Sequence, residues 1–224
     1  MRKILLLSLI TFSLSYMKGI DVSTWQGKSI DWKKVKASGI HFAILRAGYI
    51  SKKLGNVVRD DTFDINYKGA KAAGIKLGVY WYSYAKNVKE GEKEALACIN
   101  IIKGKKFEWP IYVDIEDQDQ FKAGKKAVSN AARGFCDTLL KNKYYCGIYS
   151  SASAYSTHFE DGVKKKYAIW VAHWGVNKPS YNGKWGVWQY SEKGKVNGIS
   201  GAVDLDYGNI NYEDIIKKGH YNGY

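Results

Sequence analysis

The sequence predicts an α/β fold, a single-domain, irregular TIM-like barrel of the (β/α)5(β)3 type. Three observations lead to this prediction. The 224 residues are enough to bury one substantial core. Short β-rich runs alternate with helical patterns through the first two thirds of the chain, which is typical of a parallel sheet with crossover helices. The last three β-rich runs follow one another without a convincing helical pattern between them.

Five strand and helix pairs form the first part of the predicted barrel. In chain order they are GIDVS with DWKKVKASG, HFAILRAGY with DINYKGAKAAG, KLGVYWYS with VKEGEKEALACINIIKG, PIYVDIED with KKAVSNAARGFCDTLLKN, and YCGIYSS with a short, poorly helical stretch near ASAYSTHF. Gly39, Gly74 and Gly104 stand where helices are expected to end before the next strand.

The remaining strand candidates are YAIWVAHW, WGVWQYS and AVDLDYG, joined by loops. We find no linker, low-complexity segment or internal repeat, and the two prolines, Pro110 and Pro179, mark no domain border. The final KKGHYNGY has the composition of a frayed tail. The sequence therefore predicts a barrel over residues 17–216 and a tail over residues 217–224.

The amino terminus has the order of a secretory signal. Arg2 and Lys3 precede an apolar stretch from Ile4 to about Leu14, and Ser13 and Ser15 are the small residues expected beside a cleavage site. The apolar stretch is too short for a comfortable membrane span. We expect residues 1–15 to be a signal peptide and the protein to be secreted, without a stable membrane anchor. The alternative is that Met17 is the true start.

The charge balance indicates the kind of partner. Lys and Arg number 35 against 21 Asp and Glu, which gives a net charge of +14. Such a charge favours polyanionic surfaces. The lysines are spread along the chain and no nucleic-acid-binding module accompanies them, so we expect attraction to an anionic cell wall and no nucleic-acid partner.

Cysteine and histidine give little support for metal chemistry. Cys98, Cys136 and Cys146 show no C-x-x-C spacing and are expected to be buried thiols. The four histidines are scattered without paired ligand spacing, which argues against a metal hydrolase. We therefore expect no metal and no cofactor.

Acidic residues on the inner face of the barrel are the catalytic candidates. Because side chains alternate along a strand, Tyr112, Asp114 and Glu116 face the axis while Ile111, Val113 and Ile115 face the helices. The same alternation turns Asp21 inward on the first strand and Asp204 inward on the last. A closed barrel makes those two strands neighbours, so four carboxylates are expected to meet at one mouth.

Several other residues near strand ends are candidates for contacts with a substrate. They are Arg46, Tyr80, Tyr82, Trp174, Trp188 and Gln189. The alternatives are packing for the aromatic residues and an ordinary ion pair for Arg46. Asp117, Asp119 and Asp206 are expected to be solvated or supporting groups.

A cluster of carboxylates in a partly desolvated cleft has a defined chemical use. Like charges cannot all remain ionised there, so at least one pKa rises. One protonated and one ionised carboxyl are what cleavage of a glycosidic bond requires. Glu116, which is one carbon longer and nearest the strand end, is the predicted proton donor. The alternative is a solvated loop carboxylate.

The ordered set of motifs resembles glycoside hydrolase family 25, the Chalaropsis-type lysozymes found in bacteria and in phage endolysins. The motifs are MKGIDVSTWQG, DTFDINYKGAKAAGIKLGVYWYSYA, YVDIED, VWQYS and VDLDYG. The resemblance runs from Met17 to about Ile216 and matches Asp21, Asp114, Glu116 and Asp204 to the family's four acidic positions, with Glu116 as general acid. The last motif has Asp206 where many relatives have Asn.

The resemblance implies a lysozyme, an N-acetylmuramidase that hydrolyses the β-1,4 bond between N-acetylmuramic acid and N-acetylglucosamine in peptidoglycan. We expect the protein to act outside the cell, with phage-encoded release as an alternative to the signal peptide, and to be a monomer. Asp114 is expected to orient the substrate's acetamido group or to stabilise an intermediate. The alternative functions are a catalytically silent carbohydrate-binding protein and a wall hydrolase of other bond specificity.

Overall fold

The computed structural model describes residues 16–224, and the predicted signal peptide at residues 1–15 lies outside them. The strands are β1 (Met17–Val22), β2 (Phe42–Ile50), β3 (Val57–Arg59), β4 (Lys76–Tyr82), β5 (Ile111–Asp114), β6 (Cys146–Ser151), β7 (Ala168–Ala172), β8 (Val187–Gly194) and β9 (Val203–Gly208).

The helices are α1 (Trp32–Ala37), α2 (Phe63–Ala72), α3 (Val88–Ile102), α4 (Gln118–Lys122), α5 (Lys125–Lys141), α6 (Ala152–Thr157), α7 (Asp161–Lys166) and α8 (Tyr212–Lys218). Gly39, Gly74 and Gly104 adopt positive φ after α1, α2 and α3, as predicted for helix ends. Within the described residues, no helix combines the length and the apolar character that a bilayer span requires.

Eight strands close into a ring in the order β1, β2, β4, β5, β6, β7, β8, β9, and β9 pairs back to β1. Helices connect consecutive strands of the ring from β1 to β7. The described chain carries no helix between β7 and β8 or between β8 and β9. The predicted (β/α)5(β)3 barrel is therefore confirmed, with α4 and the division between α6 and α7 as additional detail.

Two strands depart from the parallel sheet that the sequence pattern predicts. β9 runs antiparallel to both β8 and β1, because the connection over residues 195–202 is a short loop that has no room for a crossover helix. β3 pairs antiparallel with the end of β2, beyond the point where β1 stops. We call the end of the ring where the parallel strands finish the open rim. Because β9 is reversed, its first residues lie at that rim.

Side-chain alternation separates two apolar cores, as predicted. Ile111, Val113 and Ile115 pack between the barrel and the helices. The interior core contains Phe42, Ile44, Trp109, Tyr112, Tyr149 and Trp170. Phe42 and Trp109 stack with their ring centroids 3.8 Å apart. Aromatic rings thus fill the interior of the barrel below the open rim.

The carboxyl terminus closes the other end of the barrel, and the prediction of a frayed tail is wrong. Tyr212 and Ile216 of α8 belong to the interior core. Asn222 is buried, donates a hydrogen bond from Nδ2 to the carbonyl of Trp109 (2.9 Å) and accepts one at Oδ1 from the amide of Tyr145 (2.8 Å). No periodic pattern predicts this contact, because it depends on one side chain that forms hydrogen bonds with distant backbone groups.

Two of the three cysteines form a disulfide, so the expectation of buried thiols is wrong for them. Cys136 near the end of α5 and Cys146 at the start of β6 are bonded, with Cα atoms 5.3 Å apart and a sequence separation of 10. The pair lacks a recognisable motif because its proximity arises from the turn between α5 and β6. Cys98 is a buried free thiol, as expected.

Removing this disulfide is expected to lower the free energy of unfolding by about 2–3 kcal/mol, because a short loop in the unfolded chain is no longer closed. Thermal unfolding of the Cys136→Ala, Cys146→Ala double variant measures the loss as a lower midpoint. A reductant should destabilise the wild type and leave the double variant unchanged. Equal responses of the two proteins would contradict the assignment.

Candidate active site

Four carboxylates meet at the open rim of the barrel. Asp21 on β1 and Asp204 on β9 are direct cross-strand partners. Asp114 ends β5, and Glu116 follows it two residues later. Asp204 reaches the rim from the start of a reversed strand, while Asp21 and Asp114 reach it from the ends of parallel strands. The sequence reasoning therefore placed these acids correctly, although it assumed a parallel last strand.

Tyr149 on β6 shows that the four acids share one space. Burial raises the pKa of its phenol first, and the carboxylates of Glu116, Asp114, Asp21 and Asp204 raise it further. The Tyr149 hydroxyl donates a hydrogen bond to Oε1 of Gln189 (2.9 Å). A side chain that is close enough to be influenced by all four acids marks the floor of a common cleft.

Asp21 is fixed in the cleft by burial and by a hydrogen bond. It is buried and accepts a hydrogen bond at Oδ2 from Nε2 of Gln189 (2.8 Å). Burial raises the pKa of Asp21 well above its usual range, with further contributions from Asp206 and Asp204. Asp21 and its acidic neighbours therefore hold fewer negative charges than they have carboxyl groups.

Asp114 is buried, and one of its oxygens is unsatisfied. Its Oδ1 has no hydrogen-bond partner among residues 16–224. Burial and then the charge of Glu116 raise the pKa of Asp114, while the guanidinium of Arg46 lowers it. An unpaired buried carboxylate oxygen is costly, so its presence beside an open cleft indicates a place for a donor group of a ligand.

Glu116 is the most accessible of the four acids, and it lies in the loop after β5. Desolvation in the cleft raises the pKa of Glu116, and the carboxylates of Asp204 and Asp117 raise it further. No cation opposes the rise, whereas Arg46 does so at Asp114. The two acids of the D-x-E motif thus have different environments: Glu116 is accessible to a ligand, whereas Asp114 is buried with a pKa well above its usual range.

The predicted substrate contacts divide into three groups. Tyr80 and Tyr82 face the cleft and are half-buried, and the carboxylates of Glu116 and Asp114 add to the effect of burial in raising the pKa of Tyr82. Trp174 lies at the rim after β7 and is 46% exposed. These three side chains are positioned to meet a ligand.

Arg46 and Gln189 have supporting positions. Nε of Arg46 donates to Oδ2 of Asp60 at 2.8 Å, which is the ion pair that was the alternative interpretation. Gln189 is buried, and its Oε1 also accepts a hydrogen bond from Nε1 of Trp174 (3.0 Å). Gln189 therefore connects an exposed indole to the buried carboxylate of Asp21.

The prediction that Trp188 lines the cleft is wrong. Its side chain is 5% exposed, and it lies on the outer side of β8 with Trp185, Tyr190 and Tyr207 around it. Its Nε1 donates to the carbonyl of His173 (2.8 Å). Strand alternation explains the error, because Gln189 points inward and its neighbour must point outward.

Two residues at the rim were missed from the sequence. Trp25 lies on the turn directly after β1 and is 84% exposed. Lys52, in the hairpin between β2 and β3, pairs with Asp117 at 2.7 Å and Asp119 at 3.0 Å. Asp117 and Asp119 are thus ion-paired supports of the loop that carries Glu116. The indole of Trp25 was detectable as an apolar residue in the polar STWQG segment.

Comparisons with known proteins agree with this geometry. The family model described as glycosyl hydrolases family 25 matches residues 20–199. This segment contains Asp21, Asp114 and Glu116 and ends before β9.

Comparisons with individual proteins find similarity to lysozymes and to an endolysin. The chain is 34% identical over 192 residues to an autolytic lysozyme of Clostridium acetobutylicum, a match that covers 85% of this chain and 55% of the relative. The chain therefore spans about half the length of that relative. The solved structure of the CTP1L endolysin has a TM-score of 0.78 at 28% identity and covers 90% of this chain and 69% of that chain. A lysozyme from Streptomyces coelicolor has a TM-score of 0.76 at 30% identity, covering 90% and 96%.

Proposed function

The chain belongs to glycosyl hydrolase family 25, and from the geometry of its cleft we propose that it is a lysozyme. The substrate is bacterial peptidoglycan, and the bond cleaved is the β-1,4 bond between N-acetylmuramic acid and N-acetylglucosamine. The observation that carries this proposal is the pair of unlike carboxyls at the end of β5. Glu116 is accessible with a raised pKa, and Asp114 is buried with an unsatisfied oxygen.

Glu116 is the proton donor in this proposal. Its proton passes to the glycosidic oxygen as the bond from that oxygen to the anomeric carbon breaks. The carbonyl oxygen of the substrate's own acetamido group bonds to the anomeric carbon from the other side. Glu116 then removes a proton from water, which attacks the same carbon and restores the acetamido group. The sugar keeps its anomeric configuration.

Asp114 is the group that orients the acetamido substituent. Its free Oδ1 accepts the acetamido N–H, which supplies the partner that the protein itself lacks. Burial and the charge of Glu116 raise the pKa of Asp114, and Arg46 opposes this rise. The ionised form of Asp114 is the one that accepts this hydrogen bond and balances positive charge at the anomeric carbon. Asp21 and Asp204 complete the negative surroundings, and Asp204 helps to keep the proton on Glu116.

Exposed aromatic faces suit the sugar chain that the acids act on. Trp174 and Trp25 stand at the rim after β7 and β1, and Tyr82 at the end of β4 lies close enough to Glu116 and Asp114 for their charges to raise its pKa. Aromatic rings pack well against sugar rings, which present apolar C–H faces. We assign this binding and the catalysis to the barrel over residues 17–216.

The product identifies the reaction. Purified peptidoglycan is digested, and the new reducing ends are reduced with borohydride and analysed by mass spectrometry. The proposal requires reducing-end muramic acid. Reducing-end glucosamine would identify a glucosaminidase, free stem peptides would identify an amidase, and binding without new reducing ends would identify a carbohydrate-binding protein. Any of these three outcomes would overturn the proposal.

The net charge of +14 supports attraction to the polyanionic wall on which a secreted lysozyme acts. Binding to intact walls and the clearing of wall suspensions are therefore expected to weaken as salt is raised from about 0.01 M to 1 M, since the screening length falls from about 30 Å to 3 Å. Sedimentation of the protein with walls measures the binding. Hydrolysis of short soluble glycans is the control and should change little. Clearing that is constant across this range would contradict the role of charge.

A further inference from the structure

A fifth carboxylate lies below the four acids of the cleft. Asp206 is on β9, two residues from Asp204 and on the same inward face. Its backbone partners are Gly19 on β1 and Gln189 on β8. Asp206 is fully buried. Because Asp21 is paired with Asp204, Asp206 is its diagonal neighbour across the two strands and within reach of it.

The contacts of Asp206 satisfy only one of its oxygens. Oδ1 accepts a hydrogen bond from Nε1 of Trp170 (2.8 Å). Oδ2 is buried and has no hydrogen-bond partner in the part of the chain that the structure describes, if all carboxyls are taken as ionised. A protonated carboxyl next to it removes this deficit, because an O–H group can then join two acidic oxygens.

Within residues 16–224, no positively charged group is among those that act on Asp206. The groups that face it are Asp21 on β1, Asp204 on β9, Trp170 on β7 and the phenol of Tyr112 on β5. The phenol of Tyr190 on β8 lies on the outer face of the barrel with Trp188. Arg46, the cation of the cleft, is paired with Asp60. Burial and the charge of Asp204 raise the pKa of Asp206 well above its usual range. Two fully ionised carboxylates at this depth would be very costly.

We propose that Asp206 is a positioning residue that shares one proton with Asp21, through a hydrogen bond between the two carboxyl groups. The predicted effect on kcat rests on the proposed lysozyme function, whereas the shared proton itself does not depend on it. The shared proton gives Asp21 a second hydrogen bond beside that from Gln189, so that its orientation at the rim is fixed. The other oxygen of Asp206 fixes the indole of Trp170.

Trp170 connects Asp206 to the aromatic side chains around the cleft. Its ring meets the rings of Tyr149, Tyr112 and Tyr80 edge to face, at centroid distances of 4.5, 5.2 and 6.1 Å. Tyr149 in turn holds Gln189, and Gln189 holds Asp21. Asp206 thus supports Asp21 in two ways. It forms a direct hydrogen bond with Asp21, and it holds Trp170, which packs against the Tyr149 that binds Gln189.

The conservative variant Asp206→Asn distinguishes a proton shared between Asp206 and Asp21 from an Asp206 that is ionised. In Asp206→Asn the amide N–H₂ can replace the shared proton and the amide oxygen can still accept from Trp170. The pair carries one negative charge before and after the change. We expect kcat/KM on peptidoglycan within about threefold of the wild type and an unchanged pH profile. If Asp206 were ionised beside an ionised Asp21, the loss of its charge would shift the alkaline limb to lower pH.

Asp206→Leu removes both hydrogen bonds. We expect kcat to fall about tenfold or more with KM within about twofold, because small misplacements of catalytic groups cost up to about 10²-fold. Circular dichroism and the unfolding midpoint show whether the variant is folded. A folded leucine variant with normal kcat, or an alkaline limb that moves in the asparagine variant, would overturn the proposal.

One measurement does not depend on catalysis. Carbon-13 NMR of aspartate carboxyls, with Asp206→Asn used for assignment, follows the titration of Asp206 and Asp21 in the wild type. We expect the pair to retain one proton through neutral pH. Two carboxyls that are both ionised at neutral pH would contradict the shared proton, even in a protein that failed to cleave peptidoglycan.

Discussion

The Glu116→Gln variant is expected to lose nearly all activity, with kcat lowered by about 10²- to 10⁴-fold, the usual contribution of a general acid. Glutamine has the shape of glutamate and no proton to give. Glu116 makes no ion pair within the described chain, so folding and KM should be little changed. Release of reducing sugars from purified peptidoglycan measures kcat, and sedimentation with walls measures binding.

Asp119→Asn is the matched control for this variant. Asp119 is an exposed acid in the first turn of α4, just after the loop that carries Glu116, and is paired with Lys52. It should keep activity within a fewfold of the wild type. If Glu116→Gln cleared walls as fast as the wild type, Glu116 would not be the proton donor and the proposed mechanism would fail.

The pH dependence of the wild type follows from the same proton. A raised pKa means that Glu116 stays protonated to higher pH than a free glutamate. Activity should therefore be present below that raised pKa and fall as the pH rises through it. The acid limb belongs to Asp114, which must be ionised to accept the acetamido N–H. Burial and then Glu116 raise the pKa of Asp114, so this limb lies at higher pH than for a free aspartate, and the two carboxyls titrate as a coupled pair.

The Asp114→Asn variant is expected to lower kcat by about 10²- to 10³-fold, which is comparable to the loss of one oriented electrostatic group in other active sites. The amide keeps the shape of the side chain and removes the charge that balances the oxocarbenium-like centre. Asp61→Asn is the control, because Asp61 is an exposed acid near the rim that pairs with Lys28. The control should remain active.

The role of Asp114 also predicts the stereochemistry and the absence of a covalent adduct. Proton NMR during hydrolysis of a soluble glycan should show the anomeric configuration retained. Mass spectrometry of protein quenched during turnover should show the unmodified chain. An inverted product would exclude a retaining reaction, and a glycosyl adduct on Asp114 would assign it the role of nucleophile.

Local periodicity explains why much of the fold and of the site was predictable. Alternation along single strands is sufficient to place Asp21, Asp114 and Asp204 inside the ring. The same rule, applied to β8, would have excluded Trp188 once Gln189 was placed inward. Helix ends at Gly39, Gly74 and Gly104 are local features of backbone conformation, and they were found for the same reason.

The features that the sequence did not predict depend on contacts between distant residues. The disulfide requires the end of α5 to meet the start of β6, and the packing of Asn222 requires three separate backbone segments to converge. The reversed direction of β9 depends on the short loop that joins it to β8 and on its pairing with β1, which closes the ring. The supporting role of Gln189 emerged only when Tyr149, Trp174 and Asp21 were placed around it.

Closure of the ring between β1 and β9 has a consequence for how the protein is made. Gln189 and Asp21 are hydrogen-bonded although they are 168 positions apart in sequence, and α8, which packs against the interior core, follows β9 in the chain. Contacts of such high sequence separation form late, since the loop between them must be closed first. A nascent chain still on the ribosome therefore carries Asp114 and Glu116 without Asp204 beside them. Hydrolytic competence should arise only after translation has ended, and prematurely terminated chains should be inert towards the producing cell's own wall.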